Sequence, residues 1–136
     1  MSVLAPATKA TTDVDAVAAL GAHEVASQLS VVLGRPLIAA MMNVSATRVV
    51  RKWEEGGGIT ADRENALHTA LQAVLILKTQ FENGVVRNWF VGHNVALKDQ
   101  APGELIREIA NGELLDPRIQ ELGRALLAAA RAFVAR

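Results

Sequence analysis

The sequence predicts an all-α protein, and three observations lead there. Half of its 136 residues are apolar, enough for a core, and these are mostly Ala, Leu and Val with few aromatics and no Tyr. Ala and Leu are among the strongest helix formers. Apolar residues recur at helical spacing along most of the chain, and no strand-like run has a visible partner.

Taken in order, Met1 to Thr12 reads as a disordered arm, with one Lys and no apolar core of a signal peptide. Asp13 to Leu33 has a helical stripe of Val14, Val17, Leu20, Val25, Leu29, Val32 and Leu33, divided at Gly21. Gly34-Arg35-Pro36 stops it, and proline in a first turn starts a new helix that runs to about Asn43. Ser45 is expected to cap a third helix to about Glu55, with Val49 and Trp53 anchoring it. Gly56-Gly57-Gly58 ends this first domain, residues 13–58.

The second domain, 59–136, opens on a long helix from Ile59 to Phe81, capped by Thr60, with Leu67, Leu71, Val74, Leu75 and Leu77 buried. Asn83-Gly84 breaks it. Val85 to Val91 is read as a short helix, Gly92 to Pro102 as loop and Glu104 to Ala110 as another short helix. After the Asn111-Gly112 turn, Asp116-Pro117 starts a final amphipathic helix carrying Ile119, Leu122, Leu126, Ala129 and Phe133.

Composition excludes several chemistries. Without cysteine there is no disulfide, thiolate metal site or cysteine nucleophile, in keeping with a cytoplasmic chain. No apolar run reaches the roughly 18 residues that span a membrane. His23, His68 and His93 lie on separate segments without ligand spacing, so neither metal nor other cofactor is expected. No nucleophile–base–acid order suggests an enzyme, and Gly56-Gly57-Gly58 lacks the Lys-Ser/Thr of a phosphate loop.

Net charge is zero, but its distribution is uneven. No acid lies between Glu24 and Glu54, a stretch holding Arg35, Arg48, Arg51 and Lys52. From Asp62 onward, nine basic and nine acidic residues cancel. A local positive patch can bind phosphates whatever the total, although a charge cluster alone is also what a solvated face looks like.

The patch overlaps a helix-turn-helix pattern at about residues 36–55. In Ile38 to Val49, small Ala39 is followed four positions later by the turn residue Asn43, then apolar Val44 and Ser45. Ala39 suits close helix approach, and Asn43 tolerates a left-handed bend. Ala46, Thr47 and Arg48 would then face base edges, with Arg51 and Lys52 placed for phosphates of operator DNA, and Ser45 and the patch residue Arg35 counted in the same DNA-binding set. A helical hairpin with a serine cap is the plainer alternative. In many phage repressor-like Xre regulators the aromatic falls one residue earlier than Trp53, so the recognition register is open by one residue.

Residues 84–115 carry a second pattern: Trp89-Phe90, then Asn94-Val95-Ala96-Leu97, then Pro102-Gly103-Glu104-Leu105-Ile106. Together with the helix-turn-helix, the long connecting helix and the final helix, this resembles the antitoxins of Res–Xre toxin–antitoxin pairs, the MbcA/ParS/Xre family, over roughly residues 25–136. The family usually carries Gly-Gly between the Leu and the Pro and a Ser or Thr before the Pro. Here Lys98-Asp99-Gln100 and Ala101 stand there.

The resemblance implies an Xre-like DNA-binding bundle joined by a long helix to a small toxin-binding and dimerising domain. Its implied partners are a NAD-degrading Res-domain toxin and the operator of its own operon. The positions implied for the toxin are Arg124, Arg131, Phe133 and Arg136, on a helix without an acid after Glu121. A terminal helix that merely closes its own core would look the same, and a stand-alone repressor whose C-terminal half only dimerises is the alternative function.

Overall fold

The computed structural model describes residues 14–136, so the expected N-terminal arm lies outside the described residues. A 3-10 segment, Val14–Ala19, leads into α1 (Ala22–Leu33), α2 (Arg35–Met41) and α3 (Thr47–Glu54). Then come α4 (Ala61–Leu77), α5 (Asn83–Val91), a 3-10 turn (Val95–Leu97), α6 (Pro102–Asn111) and α7 (Pro117–Val134). Among the described residues the only β feature is a lone bridge between Asn94 and Gln100, so the all-α expectation holds.

Helix α4 is the axis. It packs on the first 3-10 segment, α1, α6 and α7. A single stripe was expected for it. Instead Ala66, Ala70, Ala73 and Ile76 are buried along with Leu67, Leu71, Val74 and Leu77, so most of the helix circumference is buried. Leu75, expected in the stripe, is half-buried on the remaining strip with Asn65, His68 and Gln72. A helix with that pattern belongs inside a core. The small alanines let neighbouring helices come close. It also ends at Leu77, shorter than predicted, while Asn83 and Gly84 form the first turn of α5 instead of a break.

One continuous apolar cluster runs from Val17 through Trp53 to Ala130, across both expected segments. Half-buried His68 strengthens it: its ring nitrogens lie 2.8 Å from the Glu64 carbonyl oxygen and 2.9 Å from that of Leu20. From α5, Arg87 donates to the Val32 carbonyl near the end of α1 at 3.0 Å.

The caps follow local chemistry. Thr60 accepts from the Arg63 amide and Asp116 from the Arg118 amide, as predicted. Ser45 does not cap α3. The extended cap residue is Ala46 (φ −147°, ψ 146°), and it has no side-chain acceptor. The loop before α6 also departs from a glycine pattern, since Lys98 (φ 57°) and Asp99 (φ 66°) both take the left-handed conformation. That conformation is what Gly-Gly adopts without steric cost. Ala101 offers no cap oxygen to α6, and Glu104 satisfies the Ala101 amide alone at 2.8 Å.

The last helix covers its own apolar residues. Leu126 and Ala130 are fully buried, and Phe133 packs tilted against Phe81 with ring centroids 5.1 Å apart. The Arg136 guanidinium lies over the outer side of this pair, 5.0 Å from the Phe133 centroid. No helix among the described residues is long and apolar enough to cross a membrane.

Candidate nucleic-acid interface

Helix α2 ends in a bend that its sequence specifies. Asn43 adopts φ 57°, the Asn43 amide donates to Ala40 O and the Val44 amide to Ala39 O, at 3.2 and 3.0 Å. This crossed pair of bonds is the Schellman ending of a helix, in which a left-handed residue satisfies the last carbonyls. Small Ala39 and left-handed Asn43 thus hold the places expected of them.

Helix α3 begins two residues beyond that bend. Its inner side is Val50, fully buried, and Trp53, 4% exposed, while Val49 is only half-buried. The expected anchors Val49 and Trp53 both pack on the core, but Val50, not expected there, is the more deeply buried partner of Trp53. The helix is rotated so that Val49 sits at the edge of the buried stripe.

The far end of α3 is equally defined. The Gly56 amide donates to Trp53 O and the Gly57 amide to Lys52 O, at 3.1 and 2.7 Å, with Gly56 at φ 95°. A Cβ on Gly57 would stand 2.8 Å from Lys52 O, so this position requires glycine. The glycine run is a second Schellman ending, tightly built against α3.

Arg35 grips the same end. It donates from Nε to Glu54 Oε2 at 2.9 Å and from Nη2 to Oε1 at 2.7 Å, while Ser30 Oγ also donates to Oε2. The Arg35 hydrogen bond is the main reason that the Glu54 carboxyl titrates below the ordinary carboxylate range, with Ser30 and the Arg51 charge adding to it against partial burial. Arg35 in turn is held more firmly protonated by Glu54. The structure thus places Arg35, counted in the DNA-binding set, in an ion pair that joins the α1–α2 corner to α3.

What remains outside is one arc of α3. Thr47, Arg48, Arg51 and Lys52 are exposed, Ser45 is exposed just before the helix, and Ala46 is half-buried. Among the described residues, the side chains of Arg48, Arg51 and Lys52 make no hydrogen bond or ion pair, and only the Arg51 charge acts at longer range, on Glu54. Because Glu54 is engaged by Arg35, its charge is largely compensated, while Glu55, just past the end of α3, is exposed. A single helix with three exposed cations on its outer side has the width and charge to enter the major groove of a duplex.

Of the four positions implied for a toxin, Arg124, Arg131 and Phe133 lie on α7 and Arg136 follows its end. Arg124 pairs with Glu121 at 2.8 Å, Arg131 is exposed, Phe133 packs against Phe81, and the Arg136 guanidinium lies over the Phe133 ring. Sequence reasoning missed Arg63 and Arg107, which both reach the α2–α3 bend. They stand 21 and 64 positions from their partners, and nothing in the local pattern marks them.

His23, His68 and His93 lie on different elements, and no group of three or more His, Cys, Asp or Glu side chains able to hold a metal occurs among the described residues. No protein-family model, curated protein or solved structure matches the chain.

Proposed function

We propose that this protein is a non-enzymatic, DNA-binding regulator of the antitoxin type. In this reading α3 enters the major groove of the operator, and the C-terminal half holds a Res-domain toxin inactive. One observation carries the DNA part: Arg48, Arg51 and Lys52 stand exposed, their side chains in no hydrogen bond or ion pair among the described residues, on the outer arc of a short helix that is fixed at both ends. Ser45, Ala46, Thr47 and Arg48, at its N-terminal end, read base edges, and Arg51 and Lys52 meet phosphates. Arg35 serves by orienting α3 through Glu54. Two half-sites one helical turn apart call for a homodimer or a larger complex with the toxin.

The toxin part rests on the resemblance and gains support from the loop before α6. Lys98 and Asp99 take the left-handed conformation at the place where Res–Xre antitoxins usually carry Gly-Gly. Arg131 and Arg136, with no acid in the last turns, suit a cleft that binds a phosphate-bearing dinucleotide. The packing of Phe133 against Phe81 favours a second reading, a stand-alone repressor whose α7 only completes the core.

Co-expression with a Res-domain toxin separates the two. The antitoxin reading expects growth rescue by the wild-type chain and loss of rescue with Arg131→Glu/Arg136→Glu. Absence of rescue by the wild-type chain rejects the toxin part and leaves the repressor.

A further inference from the structure

The bend between α2 and α3 is held from a distance. Arg63, in the first turn of α4, donates from Nε to Met42 O at 3.2 Å. Arg107, on α6, donates from Nη2 to Asn43 Oδ1 at 2.7 Å. Helix α6 starts close against α5, where Gly103 leaves room beside the Phe90 carbonyl, and it touches Met41 of α2 there. A Cβ there would stand 3.0 Å from Phe90 O and 3.4 Å from Cγ and Sδ of Met41. One helical turn later, Arg107 arrives at the bend.

Asn43 therefore has two tasks. Its backbone supplies the left-handed residue that ends α2, and its side chain takes the arginine of α6. Glycine would perform the first task as well or better, but only a side chain with an acceptor performs the second.

We propose that Arg107 is a positioning residue for DNA recognition, acting through Asn43 to set how the N-terminal turn of α3 is presented. It couples the α6–α7 half of the molecule to the DNA-reading helix. This rests on the DNA reading given above. A base-reading side chain works only within about 0.5 Å and 10–20° of its productive geometry, so a small rotation at the bend reaches Arg48 as lost specificity.

The test compares Arg107→Ala, Arg107→Lys, Asn43→Gly and the Arg107→Ala/Asn43→Gly double variant, with melting curves to check folding. The probes are a duplex enriched from a random pool by the wild-type protein and an unrelated duplex of equal length. Arg107→Ala should lower affinity for the enriched duplex roughly threefold to tenfold. It should leave the unrelated duplex and the salt slope unchanged. Arg107→Lys should restore part of the loss, and Arg107→Ala should cost nothing further once Asn43 is glycine. In the free protein, the amide resonances of residues 47–53 should shift in Arg107→Ala.

Wild-type affinity with unmoved resonances overturns the proposal. So does equal weakening on both duplexes with a salt slope smaller by about one, which marks a direct phosphate contact. Arg48→Ala and Arg51→Ala are the controls: if both bind like wild type, the DNA reading itself fails, and with it the proposal.

Discussion

Arg35 and Glu54 meet fork to fork, 19 residues apart in sequence, through bonds of 2.9 and 2.7 Å. Arg35 opens α2 and Glu54 closes α3, so this pair fixes the end of α3 opposite the bend. The Glu54 side chain is 13% exposed but that of Arg35 is 38% exposed, so the pair is shielded from water on the carboxylate side only and solvent screening weakens it accordingly.

A pH dependence follows. The Glu54 carboxyl titrates lower in the folded chain than in the unfolded one, so its stabilisation is complete above the unfolded carboxylate range. It is lost as pH falls through the depressed folded value. At neutral pH, Glu54→Gln should lower Tm by roughly 4 °C, as expected for loss of a charge-assisted hydrogen bond. Wild type and variant should converge at strongly acidic pH. Thermal melting followed by circular dichroism across pH checks this, and parallel curves at all pH values would contradict it.

The loop before α6 stores strain. Asp99 is exposed and held at φ 66°, where a side chain has a steric cost and glycine has none. Asp99→Gly should therefore stabilise the chain by about 1 kcal/mol or slightly less, read as a higher denaturation midpoint. Destabilisation would mean that the Asp99 side chain has a compensating role.

Val49 and Val50 test the rotation of α3. Val50→Ala should cost about 2 kcal/mol because the site is fully buried in a packed core. Val49→Ala, at the edge of the stripe, should cost less than half as much. Denaturant titration of the two variants decides, and the reverse order would return α3 to the orientation first read from sequence.

Truncation after Ala125 removes Leu126, Ala129 and Ala130 from the core and Phe133 from Phe81. It should lower Tm severely and impair every activity together. A truncated chain that melts like the full one would show that α7 is not needed to close the core.

How far the sequence reached depends on distance along the chain. The Gly34 and Gly56-Gly57-Gly58 stops, the Thr60 and Asp116 caps and the left-handed Asn43 are local features, and each was legible. The Ser45 cap was misread because the Schellman bend extends through Val44, and the helix starts only at Thr47. Pattern alone does not separate Val49 from Val50, because spacings of three and four both keep one face with Trp53. Arg35 looked like a DNA-binding residue because its partner Glu54 lies beyond any local window. The Arg63 and Arg107 contacts depend on how α4 and α6 pack, which no periodicity encodes.

The central claim is that the outer arc of α3 binds DNA. Its most direct test is the affinity of Arg48→Ala, Arg51→Ala and Arg131→Ala for a duplex enriched from a random pool by the wild-type protein, measured across a salt series. Arg48→Ala should lose about 1–3 kcal/mol of binding, Arg51→Ala should reduce the salt slope by about one, and Arg131→Ala should bind like wild type. Wild-type binding by both the Arg48 and the Arg51 variants would contradict the claim.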